Sequence, residues 1–139
     1  MQRKTWIVVG TDFTASADDA LDHAVEVATR SGASIALVHA YEDDSSAAPV
    51  TELRARLEAA IERSAAARNG VEVDALLRRG TPWEKLCNVA TDLGAGSIMI
   101  GPRTRLGDGG YVLGAVGARA VAAAKPSVLV IVMTSKEAP

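Results

Sequence analysis

Two short segments of the chain contain residues whose types and spacing could bind a ligand. The first is the tetrapeptide Thr-Asp-Phe-Thr at positions 11–14, which follows a short apolar run and Gly10. The second is a glycine-rich stretch from Gly101 to Gly114, which leads into an apolar segment of helical periodicity. Glycines let the backbone approach a ligand closely, and a helix N-terminus offers unpaired N–H groups and a positive dipole end. The second segment therefore favours binding of an anion such as phosphate.

The other reactive side chains form no recognisable catalytic or metal-binding motif. His23 and His39 are distant in sequence, and His39 lies within an apolar run, which is typical of a hydrogen-bonded core histidine. Cys87 has no neighbouring histidine that would activate a thiolate, so we interpret it as a small buried apolar residue. We therefore expect no metal site and no catalytic residue.

An alternation of strands and amphipathic helices must position the two segments. Apolar, often β-branched runs predict strands at residues 6–11, 35–41, 71–77, 97–100 and 127–133. Ser16 has an acidic residue three positions later, which indicates the start of the first helix. The predicted helices begin near residues 16, 50, 81 and 116, and they stop at Gly32, Asn69-Gly70, Leu93 and Pro126.

This alternation predicts an α/β fold built as a doubly wound, five-stranded parallel sheet. Right-handed crossovers between successive strands give the order 3-2-1-4-5, with helices on both faces. The 139 residues, 48% of them apolar, fit one domain with a core at about 3–133 and a short polar C-terminal tail. We expect residues 1–139 to form this single domain.

Composition and charge exclude several classes of partner. The net charge is −2, so there is no broad cationic surface of the kind that nucleic acid or an anionic membrane requires. The apolar run near the N-terminus is too short for a signal-peptide core or a membrane span. A single cysteine excludes an internal disulfide. A cytoplasmic location is the natural expectation.

The strand order of such a fold determines where its ligand site lies. In the order 3-2-1-4-5 the chain winds in opposite directions on either side of strand one, so the loops that leave strands one and four separate. They open a crevice at the carboxyl ends of the strands. Residues 11–14 and the glycine-rich stretch are the two segments that would line it.

Residues 10–14, the Val38-His39-Ala40 segment of strand two, Gly80-Thr81-Pro82 and the loop after strand four together resemble the universal stress protein family over about residues 3–133. The resemblance implies an adenine nucleotide alpha hydrolase-like fold. The most specific feature of the family is a nucleotide motif, Gly-x2-Gly-x9-Gly-Ser/Thr, after strand four. Its spacing is kept from Gly101 to Gly114, but Thr104 replaces the second glycine and Ala115 replaces the hydroxyl residue.

The resemblance also implies a set of binding residues for ATP or another adenine nucleotide, with Mg²⁺ present only together with the nucleotide. Asp12 would lie near the ribose, although capping of the first helix or of the turn before it explains the residue equally well. The implied nucleotide-binding residues are Gly10, Thr11, Asp12, Ala40, Ile100, Gly101, Arg103, Thr104, Gly114, Ala115 and Val116.

The departures from the motif leave nucleotide binding open. Thr104 brings a β-branched side chain to a place where phosphate would lie against bare backbone, and Ala115 lacks a hydroxyl donor. Arg103 and Arg105 could compensate by pairing with phosphate as planar cations. Since the family includes members that bind ATP and members that do not, both outcomes are compatible with this sequence.

The sequence is compatible with three functions. The preferred one is a non-enzymatic stress-response or signalling protein that binds an adenine nucleotide at the switch point; the alternatives are a member that acts only by dimerisation and partner binding, or a weak ATP hydrolase. Hydrolysis would need an acid to organise Mg²⁺, and Asp108, the only acid in the loop, is more typical of a turn. A phosphoacceptor receiver domain is excluded, because strand three ends in Leu76-Leu77 where an aspartate is needed, and Lys125 precedes strand five.

The last predicted strand, Ser127 to Met133, has an apolar sequence without charge and falls at the edge of the sheet. An unprotected edge can pair with a second chain. The family resemblance implies antiparallel pairing of this strand across a two-fold axis. We therefore expect a homodimer, and the sequence does not identify other protein partners.

Overall fold

Strands and helices alternate along the part of the chain that the structure describes. The structure is a computed structural model, which describes residues 4–42 and 48–101 in full and residues 129–132 as backbone. The predicted fourth helix and most of the glycine-rich loop lie outside these residues. The elements are β1 (Trp6–Gly10), α1 (Ala15–Ser31), β2 (Ser34–Tyr41), α2 (Val50–Arg63), β3 (Val73–Arg79), α3 (Pro82–Leu93), β4 (Ser97–Ile100) and β5 (Leu129–Val132).

The strands form a parallel sheet in which β1 is central. β1 pairs with β2 from Trp6 opposite Ser34 onward, and it pairs with β4 on its other side. β3 pairs with β2, so the predicted order 3-2-1-4 is confirmed. β5 pairs in parallel with β4, Ser97 lying opposite Leu129, and this extends the order to β3-β2-β1-β4-β5.

Alternate residues of the strands supply two hydrophobic cores, one on each face of the sheet. On one face Val8, Val38 and Ile98 pack against α3. On the other face Val9 and Leu37 pack against α1 and α2. The described helices therefore cover both faces, as the apolar runs predicted. None of the described helices combines the length and apolar character that a membrane crossing requires.

Cys87 belongs to the core beneath α3. Its residue surface is 4% exposed, and burial raises the pKa of its thiol. This environment stabilises the neutral thiol, so the interpretation of Cys87 as a small buried apolar residue is confirmed.

The N-cap of helix α1 lies two residues earlier than expected. Its N-cap is Thr14, whose hydroxyl accepts a hydrogen bond from the amide of Ala17 at 3.3 Å, whereas Ser16 lies inside the first turn. The Ser-x-x-acid pattern was therefore misassigned, because a threonine two residues upstream provides the cap. The end of the helix is as predicted, with Gly32 in the left-handed conformation at φ +77°.

Helix α2 ends earlier than expected, and β3 is displaced toward its C-terminus. The hydroxyl of Ser64 donates to the carbonyl of Ile61 at 2.6 Å and ends the helix at Arg63, well before Asn69-Gly70. The amide of Val71 then bonds to the carbonyl of Ala66, which holds Val71 in a turn. Strand pairing consequently runs over Val73–Arg79 rather than 71–77.

The carboxyl end of β4 lies against the backbone of α1. Gly101 is buried, and a Cβ atom added there would overlap the carbonyl and the side-chain oxygen of Ser16. Because the overlap is with backbone, rotation of a side chain cannot relieve it. A glycine is therefore required where the chain leaves β4.

We expect Gly101→Ala to lower the free energy of unfolding by about 1–3 kcal/mol, the usual cost of forcing extra volume into a packed interior. Gly96→Ala is the matched control, since an added Cβ there has no atom within 4 Å. Urea unfolding of both variants measures the difference. Equal stability of the two variants would contradict the close packing of β4 against α1.

Candidate functional site

A cleft opens at the carboxyl ends of β1 and β2, beside the first turns of α3. Four residues of the predicted site line it: Gly10, Thr11, Asp12 and Ala40. The structure thus brings together residues from two strands that the sequence linked only through the family resemblance. The cleft lies at the carboxyl ends of the strands, as ligand sites in open α/β sheets do. It opens beside β1, β2 and α3, however, whereas the sequence placed the site at the switch point between strands one and four.

The other predicted site residues have different positions. Ile100, the last residue of β4, and Gly101 after it do not line the cleft. Ile100 belongs to the core beneath α3, and Gly101 lies against Ser16 of α1. The five remaining positions lie outside the described residues: Arg103, Thr104, Gly114, Ala115 and Val116.

Four residues of the cleft were absent from the predicted site: Val38, His39, Pro82 and Leu86. For three of them, the spacing in the sequence could have indicated a position near the site. Val38 lies two residues before Ala40 on the same strand face, and Pro82 and Leu86 are four residues apart on one side of α3. The sequence did not show that this side of α3 faces the ends of β1 and β2.

Gly10 allows α3 to approach β1 closely. An added Cβ would lie 2.8 Å from Cδ1 of Leu86 and 3.2 Å from Cγ2 of Ile100. Both distances are shorter than ordinary carbon contacts, so the lack of a side chain lets Leu86 form the wall of the cleft next to β1.

The turn after β1 is held by its own polar side chains. The amide of Thr11 donates to the carbonyl of Val38 at 2.9 Å, which continues the pairing of β1 with β2. The hydroxyl of Thr11 accepts from the amide of Phe13 at 3.0 Å. Oδ1 of Asp12 accepts from the amide of Thr14 at 3.1 Å and also from its hydroxyl. Asp12 therefore organises the turn before α1, one of the two roles left open by the sequence; contact with a ribose stays a prediction.

His39 connects the end of β2 with this turn. Its Nδ1 lies 2.8 Å from the carbonyl oxygen of Thr11, and since a carbonyl can only accept, Nδ1 carries the proton and donates it. Burial lowers the pKa of His39, while the hydrogen bond to Thr11 and the charge of Asp12 oppose that effect. His39 is thus hydrogen-bonded as predicted, but it is half-buried at the cleft rather than enclosed in the core.

The lining of the cleft is partly apolar and partly polar. Its apolar side chains are the half-buried Ala40 and Pro82 and the almost fully buried Val38 and Leu86. Its polar side chains are Thr11, Asp12 and His39. Within residues 4–42 and 48–101 no group of three His, Cys, Asp or Glu residues is arranged to hold a metal ion.

Comparison with known proteins agrees with this architecture. A universal stress protein solved in complex with cAMP is 25% identical, with a TM-score of 0.71, and the match covers 97% of this chain and 100% of that one. A universal stress protein from Archaeoglobus fulgidus is 23% identical, with a TM-score of 0.72, over 94% of this chain and 93% of that one. Another structure from A. fulgidus, in complex with dAMP, is 21% identical, with a TM-score of 0.71, over 95% and 98% of the two chains.

No curated protein matches the chain significantly. The sequence profile of the Universal stress protein family matches residues 5–132, which is nearly the whole chain and includes every described strand. The protein therefore belongs to the universal stress protein family.

Proposed function

We propose that the protein is a non-enzymatic cytoplasmic stress-response protein that binds an adenine nucleotide in the cleft between β1, β2 and α3. The observation that carries the proposal is the cleft itself, in which Thr11, Asp12 and Ala40 meet the apolar wall of α3 at the carboxyl edge of the sheet. A family member of 25% identity, which matches along its whole length, was solved in complex with cAMP. The same ligand class fits the chemistry of this cleft.

In this proposal, different residues of the cleft contact the base and the ribose of a nucleoside. The half-buried Ala40 and Pro82 would provide apolar surface for a purine. The carboxylate of Asp12, held at the mouth of the cleft by Thr14, is an acceptor for a ribose hydroxyl. The phosphates would extend toward the segment after β4, where the departures from the nucleotide motif occur. Mg²⁺ would enter only with those phosphates.

In this proposal the protein signals through the difference between its nucleotide-bound and nucleotide-free states. Among the described residues of the cleft, Asp12 and His39 are the only titratable side chains, and both hold the turn after β1. Hydrolysis requires groups that activate a water and stabilise the transferred phosphoryl group. In the proposed function the cleft binds its nucleotide reversibly.

The edge position of β5 supports a second element of the proposal, a homodimer. Within the described residues β5 pairs with β4 alone and ends the strand order. A strand at this position presents unpaired N–H and C=O groups along its outer side. We propose that residues 127–133 of two chains pair across a two-fold axis.

We expect Asp12→Asn to weaken binding of adenosine about tenfold or more while leaving the melting temperature unchanged. The asparagine oxygen still accepts from the amide of Thr14, so the turn is kept, but one charged acceptor for the ribose is lost. Calorimetric titration measures the affinity. Unchanged affinity would show that Asp12 serves the turn alone.

The two departures from the nucleotide motif define a test of the proposed binding. We expect the unmodified protein to bind AMP or cAMP, and Thr104→Gly combined with Ala115→Ser to tighten ATP binding at least tenfold, or about 1.4 kcal/mol. The double change removes a branched side chain and adds a hydroxyl donor. Calorimetry with AMP, cAMP and ATP gives the three affinities. No binding of any of them by either protein would refute the proposed function.

For the dimer, we expect sedimentation to give twice the mass of the chain at micromolar concentration. Val130→Lys and Ile131→Lys each place a charge within residues 127–133 and should shift the population toward monomer. A monomeric unmodified protein at that concentration would rule out this assembly.

A further inference from the structure

Phe13 connects the turn after β1 with two other elements. Its ring centroid lies 4.3 Å from that of His39 on β2, with an angle of 37° between the ring planes. The guanidinium carbon of Arg56, on α2, lies 5.7 Å from the same centroid, in the range of a cation–π contact. Arg56 is in turn 3.4 Å from a carboxylate oxygen of Glu52, one turn earlier on α2. The ring of Phe13 therefore lies between β2 and α2.

The backbone of Phe13 is strained. Its φ is +67°, and among the described residues it is the only one other than glycine with positive φ. An L-residue with a large side chain adopts this conformation rarely, and the strain persists only where the surrounding contacts impose it. Here those contacts are the ring's contacts with His39 and Arg56 and the hydrogen bond from the amide of Phe13 to the hydroxyl of Thr11.

His39 links this ring to the cleft. It contacts the turn twice, through its ring against Phe13 and through its hydrogen bond to the carbonyl of Thr11. Thr11 and Asp12 line the cleft, whereas Phe13 and Arg56 do not. Any effect of Phe13 on a ligand must therefore pass through Thr11, Asp12 or His39, which line the cleft.

We propose that Phe13 is a positioning residue for the cleft. Its ring, held between His39 and Arg56, keeps the turn in the conformation in which Thr11 and Asp12 face a bound nucleoside. This inference rests on the proposed function, because it concerns the affinity of the same cleft. It adds a physical connection between that affinity and the surface of α2, on which Arg56 is exposed.

Phe13→Gly tests the proposal without adding backbone strain, because glycine adopts positive φ readily. We expect adenosine affinity to fall about three- to tenfold, which corresponds to the loss of an aromatic contact. Phe13→Tyr keeps the ring and should bind like the unmodified protein. Val25→Ala, which removes buried volume from the middle of α1 in the same core, is the control for lost stability.

All four proteins are titrated with adenosine at a temperature where urea unfolding shows each to be folded. A merely structural role of Phe13 would lower stability and leave the affinity of the folded protein unchanged. Affinity of Phe13→Gly equal to that of the unmodified protein would overturn the proposal, as would an equal loss in Val25→Ala.

A second readout needs no ligand. Burial lowers the pKa of His39, with Arg56 on α2 acting in the same direction and Asp12 in the turn acting against it. Without the Phe13 ring, NMR titration should show the pKa of His39 rising toward its ordinary value, and the amide of Thr14 should exchange faster. If the unmodified protein binds no adenosine, the proposed function fails on its own. Unchanged His39 titration and Thr14 exchange in Phe13→Gly would then refute the positioning role separately.

Discussion

Burial of β1 on both faces and along both edges is the constraint on which the other contacts depend. Val8 packs toward α3, while Ile7 and Val9 pack toward α1 and α2. β2 and β4 occupy its two edges. Because β1 is enclosed in this way, little space remains where the chain leaves its carboxyl end. Gly10 has no side chain, so the chain can pass close to Leu86 of α3 at this point. The polar turn that follows forms hydrogen bonds among its own residues.

The same side chains stabilise the turn after β1 and, in the proposed function, face the ligand. The side chains of Thr11 and Asp12 accept from the amides of Phe13 and Thr14, and the same two residues line the cleft. Structural and ligand-facing roles are therefore not separable by position alone. The two roles differ in what they require of Asp12. The turn needs only a hydrogen-bond acceptor, whereas the affinity for a ligand would also depend on the charge of the carboxylate.

The fold was predictable from the sequence because its signals are periodic and redundant. β4 has the predicted bounds Ser97–Ile100, and the start of α3 at Pro82 followed from the preference of proline for the first helical position. The errors occurred where one local hydrogen bond decides the outcome. Thr14 rather than Ser16 caps α1, and the hydroxyl of Ser64 ends α2 early. The cleft was predictable in part, since Leu86 and Pro82 belong to it through packing that no short motif encodes.

The burial of Cys87 has a consequence for observing motions of the protein. It is the single cysteine of the chain and is next to Leu86, which forms the wall of the cleft. A thiol reagent can reach it only when α3 separates from the sheet, so its labelling rate reports how often that wall opens. Any ligand that bridges α3 and β1 would slow the labelling in proportion to its occupancy. The labelling rate of Cys87 would thus report on the state of the cleft.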